Sequence, residues 1–335
     1  MTIRVAINGF GRIGRNILRA IAEQGRTDVQ IVAINDLGSN ETNALLFKRD
    51  SVHGPFPGTV TQNDDILNVG FGDIKMTAIR NPEELPWKEL NIDIVFECTG
   101  FFVSHEAASL HLKAGAKRVL ISAPGKNSDA TIVYGVNDSV LTATDIIVSN
   151  ASCTTNCLAP VASVLQELCG IDAAFMTTIH AYTGDQRILD TDHSDPRRAR
   201  AAALSMIPTS TGAAKAIGLV IPELNGKFEG TSVRVPTPNV SCVDLVITMN
   251  KPVSAEAVNA AMIEASNGRL KGVLGVNDEP LVSIDFNHNP MSSTFDLTQT
   301  QTVGKNMLRI LSWYDNEWGF SSRMPDTAMA MAKFL

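Results

Sequence analysis

The sequence lacks several features that define whole classes of proteins. No apolar run approaches the roughly eighteen residues of a membrane-spanning helix, and the opening MTIRVAINGFGR has no secretory-signal pattern. Low-complexity tracts and fixed-period repeats are also missing. These absences argue against membrane insertion, export, disorder and repeat architectures. They predict a soluble, cytoplasmic, globular protein.

Cysteine is scarce and irregularly spaced. The five cysteines, at positions 98, 153, 157, 169 and 242, form an odd set without the spacing of a zinc finger or a disulfide scaffold. We therefore expect free thiols in a reducing compartment and no metal site. Any chemistry of a thiol must then be catalytic or incidental.

An excess of positive charge is also absent. The formal net charge is −7, and the one basic cluster is Arg197, Arg198 and Arg200. An acidic chain has no general electrostatic attraction for nucleic acid or for an anionic membrane surface. Neither is expected as the main partner, which leaves small molecules.

What the first part of the sequence does contain is an alternation of strands and helices. This alternation is typical of an α/β fold with a Rossmann-type, doubly wound parallel sheet, which we predict at residues 1–151. The predicted strands are 4–8, 30–34, 92–97, 118–122, 131–134 and 146–149. The predicted helices follow the first strand up to residue 24 and span 106–114.

The pattern changes after residue 150. Longer strands and fewer helices predict an α+β catalytic domain with a mostly antiparallel or mixed sheet at 152–315. A C-terminal helix within about 316–335, most clearly helical at 326–334, is expected to return to the first domain. Other predicted helices cover about 154–169, 213–219 and 254–265, and predicted strands cover about 174–181, 232–235, 240–250 and 307–314.

Residues 9–14, GFGRIG, fit the dinucleotide-binding pattern G-x-G-x-x-G. The motif lies between a predicted strand and helix, and Asp36 ends the next strand. Gly9 permits a tight bend, Gly11 lets helix amides approach a pyrophosphate, and Gly14 allows close packing. Asp36 would bind ribose hydroxyls and repel a 2′-phosphate, so we predict NAD rather than NADP. A glycine turn that binds nothing is the alternative.

Cys153 lies where a polar turn leads into a predicted apolar helix. The partial positive charge of a helix N-terminus favours a thiolate, which makes Cys153 the candidate nucleophile, whereas Cys157 should pack inside the helix. His180 ends an apolar strand beside a polar loop, and histidine is suited to exchanging protons near neutral pH. From the residues alone, an inert cysteine and a structural histidine stay open.

Together these motifs resemble the glyceraldehyde-3-phosphate dehydrogenase family, in its bacterial, phosphorylating, NAD-dependent form. The resemblance runs in order along nearly the whole chain, and the cysteine motif is specific to this family and its nearest relatives. The matching stretches are INGFGRIGR, SNASCTTNCLAP, HAYTGDQ, RRARAAALSMIPTSTGAAKAIG, RVPTPNVSCVDL and SWYDNEWGFSSRM.

The resemblance implies a reaction. Cys153 would attack D-glyceraldehyde 3-phosphate, and the hemithioacetal would be oxidised with NAD to a thioester. Inorganic phosphate would then release 1,3-bisphosphoglycerate, as in glycolysis or gluconeogenesis. His180 would activate the thiol and act as acid and base, and the assembly would be a homotetramer.

The resemblance also implies binding roles. Thr183 and Arg234 would hold the phosphate of the substrate. The residues for inorganic phosphate would be Ser152, Thr154, Thr211 and Gly212, with Arg198 adding charge. The cofactor contacts would be Arg12, Ile13, Asp36, Arg80 and Ser122, with Asn316 orienting the nicotinamide carboxamide.

The residues support part of this assignment without the resemblance. Thr211 and Gly212 precede a predicted helix, whose N-terminal amides can bind an anion. Arg234 lies on a strand between valines that should point to the opposite face, so its guanidinium could reach a cleft; an ion pair is the alternative. At least two arginines of the basic cluster are expected to serve a solvated loop or subunit ion pairs instead.

One stretch departs from many NAD-dependent relatives, which have Leu-Pro where this chain has Thr191 and Asp192. The resemblance implies that this segment reaches toward the adenosine end of a neighbouring subunit's cofactor, where a carboxylate should further disfavour NADP. Two other functions stay open. One is erythrose-4-phosphate dehydrogenase, against which HAYTGDQ argues. The other is a non-catalytic NAD-binding thiol redox sensor, for which Cys153, His180 and two anion sites would be superfluous.

Overall fold

The computed structural model describes residues 2–335, which form two compact units. The first unit comprises the residues up to 134, 138–152 and 321–335. The second unit comprises 135–137 and 153–320. Each unit contains one large sheet.

The first unit contains eleven strands and three complete helices. The strands are β1 (Ile3–Asn8), β2 (Val29–Asn35), β3 (Arg49–Asp50), β4 (Gly54–Pro55), β5 (Thr61–Asn63), β6 (Ile66–Asn68), β7 (Asp73–Thr77), β8 (Ile94–Glu97), β9 (Arg118–Ile121), β10 (Ala130–Thr131) and β11 (Ile147–Ser149). The helices are α1 (Arg12–Glu23), α2 (Asn40–Lys48) and α3 (His105–Lys113).

Nine of these strands form one sheet in the order β10-β11-β9-β8-β1-β2-β7-β6-β5. Pairing is parallel from β10 through β7, and β6 and β5 extend the sheet in antiparallel fashion. The central strands β1 and β8 are buried along nearly their whole length, as in a parallel sheet covered on both faces. The predicted doubly wound sheet is confirmed.

The second unit contains eight strands and three complete helices. The strands are β12 (Ile171–Ala181), β13 (Ile207–Thr209), β14 (Phe228–Val235), β15 (Ser241–Met249), β16 (Leu274–Asn277), β17 (Ser293–Asp296), β18 (Gln301–Val303) and β19 (Met307–Tyr314). The helices are α4 (Cys153–Cys169), α5 (Ala213–Val220) and α6 (Ala255–Asn267).

These strands form a mixed sheet in the order β13-β14-β12-β15-β19-β17-β16, with β18 paired to β19. Only β12–β14 and β16–β17 are parallel. Along β12, Met176, Thr178 and His180 are buried, whereas Phe175 and Ile179 on the other face are exposed. This alternation is the expected pattern of a sheet with one covered face, and it confirms the predicted mostly antiparallel or mixed sheet.

The last helix, α7 (Trp318–Ala332), belongs to the first unit from Ser321 onward. There Gln24 donates to the Ser322 hydroxyl at 3.0 Å, and the Thr327 hydroxyl donates to Asn150 Oδ1 at 2.7 Å. The helix begins well before the predicted 326–334, and Pro325, a residue type that normally marks a helix boundary, lies inside it.

One local expectation was wrong, and one helix was not predicted. The strand predicted at 131–134 is only Ala130–Thr131, because Ile132 and Val133 fill the core without joining a ladder. Helix α2 was not predicted, since it buries only Asn43 and Phe47 and so lacks a clear apolar period. Within residues 2–335, no helix combines the length and apolar character needed to cross a membrane.

Candidate active site

A cavity of about 400 Å³ lies at the carboxyl ends of β1, β2, β7 and β8, within the first unit. This edge of a doubly wound sheet is where such folds bind nucleotides. The lining residues include several of the predicted cofactor contacts. They are Asn8, Gly9, Gly11, Asn35, Asp36, Leu37, Ile79, Arg80, Thr99, Phe101 and Phe102.

The glycine turn forms one wall of the cavity and fits a pyrophosphate. Gly9 has φ +93°, and a Cβ there would lie 2.7 Å from the backbone nitrogen of Thr99. A Cβ on Gly14 would lie 2.2 Å from the Gly9 carbonyl oxygen. Gly11 caps α1 without any side-chain hydrogen bond, and a Cβ there would meet no protein atom. Gly11 therefore leaves room for an anion to approach the N-terminus of α1 from this side.

Asp36 presents its carboxylate on the same cavity wall. Phe10 N–H donates to Oδ2 at 2.7 Å, and Gly38 N–H donates to Oδ1 at 2.8 Å. Asn43 Nδ2 also donates to Oδ1, at 3.3 Å. Three donors thus hold the side chain at the end of β2. From this position it can accept hydrogen bonds from ribose hydroxyls.

The remaining predicted cofactor residues are more dispersed. Arg80 lines the cavity and is exposed, whereas Arg12 reaches Asp50 at 2.5 Å. Burial is the largest single influence on Asp50 and raises its pKa. Hydrogen bonds from Arg12 and two backbone amides together outweigh burial and lower the pKa of that carboxyl to about 2. Ile13 and Ser122 are partly buried but do not line the cavity, and Asn316 lies in the second unit.

The second unit brings Cys153 and His180 together. Cys153 is the first residue of α4, and His180 is the penultimate residue of β12. Cys153 Sγ lies 3.5 Å from His180 Nε2. The chain enters α4 through Ala151, whose φ of +57° is unusual for a residue with a side chain. The nucleophile and its expected base are therefore within hydrogen-bonding distance.

The hydrogen bonds of His180 assign its tautomer. Nδ1 lies 2.7 Å from the Ala181 carbonyl oxygen, which can only accept, so Nδ1 carries the proton. Nε2 is then an acceptor and faces the Cys153 thiol. Burial, followed by the charge of Arg234, lowers the pKa of His180 to about 3. At neutral pH the imidazole is uncharged, and its Nε2 lone pair faces the thiol.

The thiol of Cys153 is subject to opposing influences. Burial raises its pKa, although the side chain keeps some exposure, while Arg234 and hydrogen-bond donors at Thr154 act in the lowering direction. The expectation that the helix N-terminus leaves a thiolate was therefore incomplete, because desolvation is the larger effect. The resting pair is thiol and neutral imidazole.

Arg234 and Thr183 lie beside this pair. Arg234 and His180 are directly opposite each other on the parallel strands β14 and β12. Arg234 Nη1 approaches the Ala181 carbonyl oxygen at 3.2 Å and donates to the Thr183 hydroxyl at 3.5 Å. The guanidinium and this hydroxyl lie beside the imidazole, and together they are suited to binding an anion.

A second basic group lies near the start of α5. Arg198 donates to the Thr209 hydroxyl at 3.0 Å and to the Ser210 carbonyl at 3.2 Å. Those residues lead directly into Thr211 and Gly212, and Gly212 is the uncapped N-cap of α5. Asp185 also pairs with Arg198, at 2.7 Å. The Ala213 N–H donates to the Thr211 hydroxyl at 3.2 Å, so Arg198 lies next to a segment whose other N-terminal amides have no side-chain cap from Gly212.

The other candidates for inorganic phosphate are less accessible through their side chains. The Thr154 hydroxyl is buried and hydrogen-bonds the Tyr314 hydroxyl at 2.8 Å. Ser152 is partly buried. Arg197 and Arg200 are exposed, and Arg200 pairs with Asp190 at 2.8 Å. These two arginines therefore match the solvated-loop role that the sequence favoured for them.

Two buried hydroxyls near the site have no recognisable signal in the sequence. Ser241 accepts from the Ala181 N–H at 3.0 Å and donates to Asn316 Oδ1 at 2.8 Å, which leaves the Asn316 amide hydrogens available. Tyr314 bridges Thr154 and Thr178, at 2.8 Å each. Both lie in apolar, strand-like runs that predict only core packing.

The remaining thiols are poorly suited to nucleophilic chemistry. Cys157 is buried at 3.4 Å from the Ser293 hydroxyl, and burial raises its pKa to about 12. Burial likewise raises the pKa of Cys242 to about 12 and that of Cys98 further still. Among residues 2–335 no cluster of three histidine, cysteine or acidic side chains could hold a metal ion.

Two family models match this chain. "Glyceraldehyde 3-phosphate dehydrogenase, NAD binding domain" matches residues 3–105, and "Glyceraldehyde 3-phosphate dehydrogenase, C-terminal domain" matches residues 152–316.

Curated relatives match along their whole length. Glyceraldehyde-3-phosphate dehydrogenase of Xanthobacter flavus is 65% identical over 333 residues, or 99% of either chain. The enzyme of that name from Cereibacter sphaeroides is 65% identical over 335 residues, or 100% of either chain. The one from Geobacillus stearothermophilus is 54% identical over 333 residues, or 99% of either chain.

Proposed function

We propose that this chain, which belongs to the glyceraldehyde-3-phosphate dehydrogenase family, oxidises D-glyceraldehyde 3-phosphate to 1,3-bisphosphoglycerate with NAD and inorganic phosphate. The observation that carries the proposal is the 3.5 Å approach of Cys153 Sγ to His180 Nε2, with Arg234 and Thr183 alongside. This arrangement provides a nucleophile, a base and an anion site in one unit.

The first step is transfer of the Cys153 proton to His180 Nε2. The thiolate gains stabilisation from Arg234 and from the N-terminus of α4, and the imidazolium keeps its Nδ1–H bond to the Ala181 carbonyl. The thiolate then attacks the aldehyde carbon, and Nε2–H donates its proton to the former carbonyl oxygen, which gives the hemithioacetal hydroxyl and returns His180 to its neutral form. Neutral His180 can afterwards accept the hydroxyl proton during oxidation to the thioester.

NAD supplies the hydride acceptor for that oxidation when it is bound. Gly9, Gly11 and Gly14 provide the phosphate turn and Asp36 the ribose contact, with Arg12, Ile13, Arg80 and Ser122 as further proposed contacts. The free amide hydrogens of Asn316, whose oxygen is held by Ser241, suit a carbonyl acceptor such as a carboxamide.

Two anion sites serve the two phosphates in this proposal. Thr183 and Arg234 hold the phosphate of the substrate. Inorganic phosphate, which attacks the thioester and frees Cys153, is bound by Arg198 and the N-terminus of α5 at Thr211 and Gly212. Ser152 and Thr154 complete that site, Thr154 through its backbone because its hydroxyl is bonded to Tyr314.

We further propose a functional division into an NAD-binding domain at 1–151, with the helix in 316–335, and a catalytic domain at 152–315. A cytoplasmic homotetramer is proposed as the working form. Strongly exposed apolar side chains in one segment of the second unit support an interface between copies. They are Ile188, Leu189, Leu204 and Met206, each at least 71% exposed.

Turnover measured as NADH absorbance tests the reaction. D-glyceraldehyde 3-phosphate and erythrose 4-phosphate are compared, each with and without inorganic phosphate. We expect fast turnover that depends on phosphate with the three-carbon substrate, and loss of it in Cys153→Ser. Preference for the four-carbon sugar without phosphate dependence, or NADH formation by Cys153→Ser, would contradict the proposal.

A further inference from the structure

A row of polar side chains crosses the carboxyl edge of the sheet in the first unit. It consists of the last residues of four neighbouring strands: Glu97 on β8, Asn8 on β1, Asn35 on β2 and Thr77 on β7. Each is the register partner of the next. Parallel strands place such end residues side by side at one edge.

The four side chains form a directed chain of hydrogen bonds, which we call the edge row. Thr77 donates to Asn35 Oδ1 at 2.9 Å, and Asn35 Nδ2 donates to Asn8 Oδ1 at 2.8 Å. Asn8 Nδ2 then donates to Glu97 Oε2 at 2.7 Å. Every donor points toward the carboxylate, an arrangement in which each bond polarises and strengthens the next.

Glu97 closes the edge row as an acceptor in every bond it makes there. It is 1% exposed, and both the backbone N–H and the hydroxyl of Thr99 donate to Oε1. His111 Nε2 lies 2.9 Å from Oε2. Trp87 Nε1 can only donate, and it does so to His111 Nδ1 at 3.0 Å, so the His111 proton is on Nε2 and points at Glu97.

The edge row connects directly to the walls of the nucleotide cavity. Asn8, Asn35 and Thr99 line the cavity, whereas Glu97 and Thr77 do not. Asn35 also binds both the N–H and the carbonyl of Ile79, another lining residue, at 2.8 Å each. The loops after four strands are therefore tied to one buried carboxylate.

We propose that Glu97 is a positioning residue for the dinucleotide: through the edge row it sets the spacing of the cavity walls without touching the ligand. The inference rests on NAD as the cofactor of the proposed function. A carboxylate is required because Asn8, Thr99 and His111 all donate toward it. In Glu97→Gln the amide nitrogen would face at least one of these donors, and the row would lose its direction.

NAD titrated into the purified full chain by calorimetry tests the proposal. For Glu97→Gln we expect a Kd for NAD about tenfold higher, with kcat at saturating NAD within about twofold of wild type. Thr77→Val keeps its shape and lies at the far end of the row, outside the cavity. Thr77→Val should raise the Kd for NAD severalfold. If Glu97→Gln does not fold, the Kd of Thr77→Val tests the proposal instead.

Two further variants separate positioning from general destabilisation. Glu23→Gln removes a partly buried ion pair with Arg19 in the same unit and should lower the melting temperature while leaving the Kd for NAD unchanged. Asn8→Asp combined with Glu97→Gln moves the carboxylate one strand along. There it can accept from the amide introduced at position 97, from Asn35 and from His111, whose Nε2 lies 3.5 Å from the side-chain nitrogen of Asn8. The Kd of the double variant should recover toward wild type.

The outcomes distinguish this inference from the proposed function. If wild type binds NAD but Glu97→Gln and Thr77→Val bind it equally well, the edge row is only structural and the inference is wrong. If wild type itself does not bind NAD, the proposed function fails first.

Discussion

Arg234 Nη1 lies 3.1 Å from His180 Nδ1, and both atoms approach the same Ala181 carbonyl oxygen, at 3.2 and 2.7 Å. Because Nδ1 bears the proton, the close pair is two donors sharing one acceptor. The guanidinium charge lowers the pKa of His180 and also acts to lower the pKa of Cys153. Burial has the larger effect on both pKa values, and the charge of this one arginine acts on both in the lowering direction.

Replacing Arg234 should move both titrations in the same direction. In Arg234→Gln the inflections in the pH profile of Cys153 alkylation by iodoacetamide should shift to higher pH, and alkylation at pH 7 should slow severalfold. Arg234→Lys keeps the charge and should restore most of the profile, and Arg200→Gln, at an exposed ion pair, serves as control. An unchanged profile in Arg234→Gln would show that Arg234 does not influence the titration of Cys153 or His180.

Burial of neutral His180 should make the fold sensitive to acid. The imidazole has an ordinary pKa of 6.5 in the unfolded chain and about 3 in the folded protein, so only the unfolded state takes up this proton in between. Stability should therefore fall as pH decreases from 6.5 toward 3, by at most about 1.4 kcal/mol per pH unit. Urea unfolding at pH 7 and pH 5 should show a smaller loss for His180→Gln than for wild type; equal losses would argue against the shift.

Arg198 and Arg197 offer a matched comparison for the inorganic phosphate site. Arg198 lies against Thr209 and Ser210, while the side chain of neighbouring Arg197 is exposed and donates to the Pro208 carbonyl at 3.4 Å. A charged hydrogen bond contributes about 1.5–3 kcal/mol, so Arg198→Ala should raise KM for phosphate about tenfold or more. Arg197→Ala should leave it nearly unchanged. Equal effects in steady-state kinetics would place the anion elsewhere.

Ser241 should position Asn316 through its hydroxyl. Ser241→Ala leaves the Ala181 N–H and Asn316 Oδ1 without their partner, and we expect kcat/KM for NAD to fall about tenfold. Ser312 is equally buried in the same sheet and bonds Ser293 instead, so Ser312→Ala is the control for lost stability. A similar kinetic loss in both variants would mean that the hydroxyl is structural.

Asp36 should set the preference for NAD. Its carboxylate would bind the ribose hydroxyls of NAD and repel the 2′-phosphate of NADP. Asp36→Ala should therefore raise KM for NAD about tenfold and reduce the difference in kcat/KM between NAD and NADP. The control is Asp73→Ala, at an exposed residue of β7 in the same unit. Unchanged selectivity in Asp36→Ala, measured as the ratio of kcat/KM values, would contradict this role.

The amino-acid sequence was enough to predict the fold class and most of its elements. Regular apolar runs predicted β1, β9 and β19 nearly to the residue, because burial of a strand imposes its own local pattern. The glycine turn and the cysteine at the start of a helix could also be predicted from the sequence, since each is a property of a few consecutive residues. Helix α2 could not be predicted, because a short helix with two buried residues shows no clear apolar periodicity.

The distances, pKa values and hydrogen bonds of the candidate site residues depend on the tertiary structure. It brings Cys153 and His180, 27 positions apart, to 3.5 Å, and it reverses the expected direction of the thiol pKa because burial outweighs the helix terminus. It also joins Glu97 to Asn8 and Ser241 to Asn316 across long sequence separations. Desolvation and hydrogen-bond direction depend on atoms supplied by distant segments, so no local pattern contains them.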